Sequence, residues 1–415
     1  MNKYLHIITS IFLLLGVAST ALSQQGVDPN LGKYYYNKGN YPEAIKILSQ
    51  ARKTSPNDVV VNTYLGLSFL HSEIEPKKAL DYLRLAYDSS KNKGDLPYYL
   101  GKALMHHLKY DEAIIYFNEY KKPKFKEQVC LEIKKCELAA ELVKNKKDVK
   151  IVNLGSTVNT GFPDYYPYFY EADSTLFFTS RRSKKGTAIE FDGLYQADIF
   201  SCKLVGEEVQ NLQEVKKLNT TLDDQMAGLG KNKEAYVYID HIETYGDILK
   251  FTIREDFNYR QIKEFVLFTD PKEIFTTVYF NANETKMFYT SNGKQNKKDF
   301  DIFYCEKISA TEWSLPVNIN INTPFDEGFP FLSPDEKTLY FCSNGLPGMG
   351  GFDLYKSVWN EEAKLWGTPE NLGYPINTPS DEKFIWFTSN MKTAFISGYR
   401  EEGFGFSDIY KVIFK

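Results

Sequence analysis

Gly350-Gly351-Phe352-Asp353-Leu354-Tyr355 closes a segment that starts at Leu332-Ser333-Pro334-Asp335 and runs through Leu339-Tyr340-Phe341. Its last three residues are one copy of a five-fold echo. The other copies are Asp198-Ile199-Phe200, Asp247-Ile248-Leu249, Asp301-Ile302-Phe303 and Asp408-Ile409-Tyr410, and successive copies lie 49, 54, 52 and 55 residues apart. A short apolar run precedes each: Leu176-Phe177-Phe178, Ala235-Tyr236-Val237, Met287-Phe288-Tyr289, Leu339-Tyr340-Phe341 and Ala394-Phe395-Ile396. Aromatic and β-branched runs bounded by Ser, Asn and Gly read as strands of small sheets. A strand-bearing repeat with a period near 50 predicts the blades of a β-propeller.

A third element recurs upstream of these strands as Val158-Asn159-Thr160, Leu218-Asn219-Thr220, Ile321-Asn322-Thr323 and Ile376-Asn377-Thr378, and the repeat around 271–283 lacks it. Asn371-Leu372-Gly373 stands six residues before Asn377, the same offset that separates Asn153-Leu154-Gly155 from Asn159. Residues 149–157 are therefore expected to supply the outer strand of the last blade. That pairing closes a five-bladed ring over 149–415 and hides both free sheet edges.

Residues 26–148 change to a helical period. Gly32, Ala44 and Pro56 follow one another at intervals of twelve, Gly66 and Ala79 at thirteen, and Gly101 and Ala113 at twelve. Small residues so placed let paired helices approach closely, as in a helix-turn-helix repeat of about 34 residues. A further helix over 126–145, with Val129, Ile133, Cys136, Ala140 and Val143 on one face, is expected to cap that stack. The whole reads as an α + β multidomain chain, a helical solenoid followed by a propeller.

Composition is that of a soluble globular protein, with 43% hydrophobic and 25% charged residues in 415. Residues 1–23 read as a secretory signal: Lys3 is basic, 7–17 are apolar, and Ala21-Leu22-Ser23 suits a signal peptidase. Nothing later reaches transmembrane length, so an exported chain is expected, in the periplasm or associated with the outer membrane. Cys130, Cys136, Cys202, Cys305 and Cys342 show no disulfide framework spacing and are expected to be buried free thiols. Residues 24–148 carry a net charge of +5 and residues 149–415 one of −10. The basic side is too diffuse to argue for nucleic acid.

The helical repeats, the helix carrying Cys136, the pairing of Asn153-Leu154-Gly155 with Asn159-Thr160, and the segment from Leu332-Ser333-Pro334-Asp335 to Asp353-Leu354-Tyr355 together resemble the TPR plus PD40 (WD40-like, TolB-type) propeller proteins of Bacteroidetes-type envelopes. The chain is similar to the N-terminal part of PorE/OmpA-family proteins without their OmpA-like domain. The resemblance implies an envelope protein that acts through contacts with other envelope proteins, associated with secretion or outer-membrane assembly.

Site residues follow from the repeat. The repeat Asp residues, Asp198, Asp247, Asp301, Asp353 and Asp408, fall one per blade, too far apart to share an ion, and are expected to cap backbone turns. Asp164, Asp223, Asp224, Asp326, Glu327, Asp381 and Glu382 precede the inner strands and, with Trp386 nearby, are the candidate contacts at an acidic, aromatic channel mouth. Tyr35, Asn62 and Tyr99 are the candidate groove residues of the solenoid. His71, His106, His107 and His241 form no metal-binding or hydrolase motif, so no metal, cofactor or catalytic residue is expected. The expectation is a non-catalytic scaffold or adaptor. The alternative is a propeller that binds a glycan, peptide or other small ligand at the channel mouth.

Overall fold

Asp28, Asn40 and Asp58 start the first three helices by accepting hydrogen bonds from the backbone N–H groups of Asn30 (2.9 Å), Glu43 (3.0 Å) and Val61 (2.8 Å). The computed structural model describes residues 27–240, 247–253, 259–264, 273–293, 299–309 and 312–415, with backbone alone for 247–253 and 261–264. The expected signal segment 1–23 and His241 lie outside the described residues. The helices are α1 (Pro29–Asn37), α2 (Tyr41–Thr54), α3 (Val59–His71), α4 (Ala79–Ser89), α5 (Leu96–His106), α6 (Tyr110–Glu119) and α7 (Lys126–Lys144).

The spaced small residues sit where the two helices of a pair touch. A Cβ on Gly32 would stand 2.5 Å from Leu48 Cγ, one on Gly66 2.6 Å from Leu83 Cγ, and one on Gly101 2.5 Å from Phe117 Cε1. Those approaches are closer than any side chain permits, so glycine fixes the helix separation at all three crossings. Ala44, Ala79 and Ala113 are fully buried in the same core.

Strand β1 (Val149–Asn153) follows α7 after a short polar link. Four further strands make the first sheet, β2 (Asp164–Tyr170), β3 (Thr175–Ser180), β4 (Asp198–Val205) and β5 (Glu208–Glu214). The second holds β6 (Asp223–Leu229), β7 (Ala235–Asp240), β8 (Asp247–Ile253) and β9 (Tyr259–Glu264). The third holds β10 (Phe275–Phe280), β11 (Lys286–Ser291), β12 (Asp301–Glu306) and the two-residue β13 (Val317–Asn318). The fourth holds β14 (Glu327–Leu332), β15 (Thr338–Ser343) and β16 (Asp353–Asn360), flanked by β17 (Leu365–Trp366) and β18 (Glu370–Asn371). The fifth runs β19 (Phe384–Phe387), β20 (Thr393–Gly398) and β21 (Asp408–Phe414), with β1 as its outer strand.

All these pairings are antiparallel, and β1 lies along β21 with Val149 opposite Phe414 and Asn153 opposite Tyr410. Inner strand β2 packs on β6, β6 on β10, β10 on β14, β14 on β19 and β19 on β2. The arrangement is β-propeller-like. Its centre is filled by aromatic rings from the inner strands: Tyr166 lies 4.5 Å from Phe329 and Tyr168 4.8 Å from Phe384, centroid to centroid. Tyr166 and Phe329 sit at φ 55° and 51°, each at a register shift in its strand. A side chain is strained there, and the bulge turns each ring inward, off the regular strand alternation.

The recurring Asn joins neighbouring sheets. Asn219 accepts from Ile199 N (2.8 Å) and donates to Ile199 O (3.2 Å), so its amide copies a strand edge. Asn322 does the same to Ile302, Asn377 to Leu354, and Asn159 to Ile409. Each partner immediately follows a repeat Asp of the preceding sheet. Asn377→Ala leaves the buried Leu354 N–H without its acceptor and is expected to cost about 2 kcal/mol in a urea unfolding titration.

Candidate functional site

Two carboxylates precede most inner strands, and they have different work. The second of each pair holds the loop before it: Thr160, Thr220, Thr323 and Thr378 donate their backbone N–H to Asp164 (2.7 Å), Asp224 (2.5 Å), Glu327 (2.6 Å) and Glu382 (2.8 Å). These four acids are at most 1% exposed. Burial pushes Asp224 up to about 6, Glu327 to about 7 and Glu382 to about 8, and raises Asp164 despite Arg182 at 2.9 Å. Their expected place as ligand contacts at the mouth is corrected: their oxygens face the loops they hold. Glu273 occupies the same kind of position ahead of β10, accepting from Ser291 Oγ at 2.9 Å. No Asn-Thr pair marks it, so the sequence pattern passed over it.

The first acid of each pair reaches the neighbouring sheet. Asp223 accepts from Ala197 N (2.6 Å), Asp326 from Phe300 N (2.9 Å) and Asp381 from Phe352 N (3.0 Å), in each case the residue just before a repeat Asp. Ahead of Asp164 the chain has Pro163, which has no carboxylate to offer. There Glu73, from the turn after α3, accepts from Ser407 N (2.7 Å) and Ser407 Oγ (2.6 Å). The helical region thus supplies the carboxylate that the first sheet lacks.

Other expected positions divide. Trp386 donates to Phe169 O at 3.0 Å and packs on Tyr168 and Phe331, so it belongs to the aromatic filling of the ring. Asp353 accepts from Met349 N and Gly350 N, and Asp408 from Phe404 N and Asn153 Nδ2. Asp198 instead pairs with the Lys184 ammonium, and Asp301 with Asn318 Nδ2 at 2.7 Å; the Asp247 side chain lies outside the described residues. Asn62 is corrected as a groove residue: it is buried, donates to Pro56 O and Asp58 O, and locks the turn into α3. Tyr35 is half-buried at the edge of the helical core, against Tyr34. Four of the cysteines are buried free thiols, whereas Cys130 is exposed.

Asp381 and Tyr99 do come together. They line a cavity of about 280 Å³ between α3, α5 and the loops 349–351 and 378–381, at the ends from which the inner strands set out. Helix α5 places Tyr98, Tyr99, Lys102 and His106 along one wall, the end of α3 adds His71, and the turn after it adds Glu73. The two regions are locked around it by Lys135, 2% exposed, whose Nζ donates to Gly350 O (2.8 Å) and Gly351 O (3.1 Å).

Charge in the cavity is arranged in pairs. Lys102 meets Glu132 at 2.9 Å, and Lys383 meets Asp381 at 3.2 Å. Burial raises Asp381, but Lys383, the Phe352 N–H and Lys102 outweigh it and hold the group below the usual carboxylate range. Burial raises Glu73 above that range, with Ser407 opposing only in part. Burial and the Lys102 charge push His71 down to about 4 and His106 to about 3, so both imidazoles are neutral near pH 7. His71 Nδ1 shares a hydrogen bond with Tyr36 Oη at 3.0 Å. The cavity therefore offers neutral donors and acceptors, aromatic faces, and two carboxyl groups of opposed acidity. Among the described residues no group of three or more His, Cys, Asp or Glu side chains could hold a metal ion, and no helix is long and apolar enough to cross a membrane.

No family model matches the chain, and no curated protein matches it. Solved structures with a similar fold include an endo-arabinase from Bacteroides thetaiotaomicron (8% identity, TM-score 0.39, 64% of this chain and 97% of that one). Others are a GH93 alpha-L-arabinofuranosidase of Fusarium graminearum with arabinobiose (10%, 0.36, 64% and 97%) and an RGII complex (11%, 0.45, 66% and 94%). At TM-scores below 0.5 no site or substrate is carried over. Hydrolases stand among these structures, which runs against the expectation of a non-catalytic chain; their activity is not transferred to it.

Two outcomes are expected. Glu73→Ala strips the Ser407 N–H of its acceptor, and amide hydrogen exchange at Ser407 should quicken markedly while exchange at Phe352, capped by Asp381, stays as it was. The raised value of Glu382 means that the folded chain holds this proton more tightly than the unfolded chain. Its contribution to stability is full below its ordinary 4.5 and is lost as pH rises through about 8. Glu382→Gln should flatten that fall in urea midpoints measured across the window.

Proposed function

We propose that the protein binds a glycan or a comparable small polyhydroxylated ligand in the cavity between the helices and the inner-strand ends. The observation that carries this reading is the convergence of Tyr98, Tyr99, His71, His106, Glu73 and Asp381 from two folding units onto one space. Small-ligand sites combine aromatic walls with a few fixed polar groups and favour junctions between units. Hydroxyl groups both donate and accept, which suits imidazoles that stay neutral and a carboxylate beside an ammonium.

The opposed acidities of Glu73 and Asp381 favour a catalytic extension. A carboxyl made less acidic by burial beside one made more acidic by a neighbouring ammonium is the kind of pairing by which glycosidic bonds are hydrolysed with acid and base assistance. In such a step the acid protonates the departing oxygen, and water, giving a proton to the more acidic carboxylate, takes its place on the sugar carbon.

The finer reading of the architecture belongs to the same proposal. The five sheets form one closed ring of five blades, with β1 completing the last. The three helix pairs are TPR repeats capped by α7, and the chain is a TPR plus PD40 protein exported to the cell envelope. Envelope proteins are then the source of any macromolecular partner.

Calorimetric titration of the protein with neutral and acidic oligosaccharides tests the ligand. Saturable binding is expected, weakened about tenfold or more by Tyr99→Ala, which removes an aromatic wall without a buried hydrogen bond. Absence of heat with every glycan sinks the reading. Incubation of any bound glycan, followed by chromatography, reports turnover, which Glu73→Gln should abolish while binding persists. Cell fractionation should place the protein in the envelope, and recovery from the cytosol removes that part.

A further inference from the structure

We propose that the cleft between the third and fourth sheets is a second ligand site, one for an uncharged saccharide chain, independent of the cavity beneath the helices. The cleft encloses about 640 Å³, within the roughly 300–1,000 Å³ usual for small-ligand sites. Its third-sheet side ends in the two-residue β13, where the counterpart β5 in the first sheet has seven residues. Its aromatic wall joins the half-buried Trp359 and Tyr304 to the core residues Trp366 (8% exposed) and Phe288 (2%).

That wall is built and held. Trp359 and Trp366 stand edge to face with centroids 5.2 Å apart, and Phe288 and Tyr304 continue the aromatic surface, 5.0 Å apart, on the opposite sheet. Asn320 reaches across from the third-sheet side, donating to Trp366 O at 2.7 Å and accepting from Trp366 N at 3.0 Å. The two walls of the cleft are thereby fixed relative to each other before anything binds. Preorganisation of this kind limits the ordering cost of binding.

Charge decides the class of ligand. Lys286 pairs with Glu336 at 2.7 Å, Lys364 with Glu361 at 2.9 Å, and the Tyr304 hydroxyl donates to Glu306. The charges around the cleft answer one another and leave no field of one sign to draw an ion. Aromatic faces beside ion pairs rich in acceptors suit a neutral molecule that has C–H faces and many hydroxyls. The equivalent cleft between the first and second sheets is larger, about 1040 Å³, yet it is lined by Lys203, Lys216, Lys217 and Lys233 and has no Trp. The Trp pair is therefore not something the repeat itself demands.

The test is a titration of the full chain with xylohexaose and arabinohexaose, followed by indole fluorescence, with polygalacturonate as the charged comparison. A saturable change with at least one neutral chain is expected, reduced about tenfold or more by Trp359→Ala and untouched by Tyr99→Ala. Should Trp359→Ala fail to fold, shielding of wild-type indoles from acrylamide by the same oligosaccharides gives the same answer. No response to either neutral chain, tighter binding of polygalacturonate, or capture of an extended apolar peptide in their place overturns the proposal. Loss of this response in Tyr99→Ala would assign it to the cavity under the helices instead.

Discussion

Small antiparallel sheets standing side by side share only single backbone bonds, such as Glu382 N–H to Phe352 O at 2.9 Å, so side chains must reinforce the tie from one to the next. Here an asparagine amide does it, offering one acceptor and one donor to a single residue of the preceding sheet and thereby copying a strand edge. A carboxylate beside it takes the N–H two residues earlier, as Asp381 does for Phe352. Buried backbone groups must find partners, and the two together leave none unmet at those points. At four of the junctions this tie sets neighbouring sheets side by side around the inward aromatic rings that fill the centre.

The junction between the first and last sheets is where the pattern is borrowed from outside. Pro163 removes the carboxylate, and Glu73 from the helical region takes its place on Ser407. With Lys135 clasping Gly350 and Gly351, this makes the helices part of the sheet assembly. The candidate cavity lies between those two clasps, and its two carboxyl groups are the borrowed tie and its native neighbour. Their surroundings differ: Asp381 is ion-paired with Lys383, whereas Glu73 is hydrogen-bonded by the Ser407 hydroxyl and amide and feels the Lys383 charge without pairing with it. Site and scaffold are therefore made from the same atoms.

Much of the architecture is legible in the chain. The five Asp triplets mark the third strand of each sheet, and the spaced Gly and Ala residues mark the helix crossings, because both depend on local geometry that recurs. The six-residue offset shared by Asn371 and Asn153 points to β1 as an outer strand beside β21. The site is less legible. Acids before inner strands look alike on paper, yet Asp381 reaches a cavity while Glu382, one residue on, is sealed inside. Each meets its own partners, Phe352 N–H for one and Thr378 for the other, so adjacency in sequence hides opposite fates. Glu73 carries no repeat signature at all, since its partner is 334 residues away, and only packing brings the two together. Asn62 misleads for the opposite reason: a polar residue on a helix face reads as exposed until its bonds to Pro56 and Asp58 are seen.

The borrowed carboxylate also orders events in time. A chain made from its N-terminus completes the turn bearing Glu73 long before Ser407 exists, and N-terminal domains generally fold first as they emerge. The helices can then stand finished while four sheets accumulate behind them. Strand β1 waits as an unpaired edge through the whole of that interval, since β21 is made last. Once β21 arrives, the same few residues meet β1, Asn159 and Glu73 together. The helical region thus serves the growing chain as a template, holding ready the anchor on which its last strand will land.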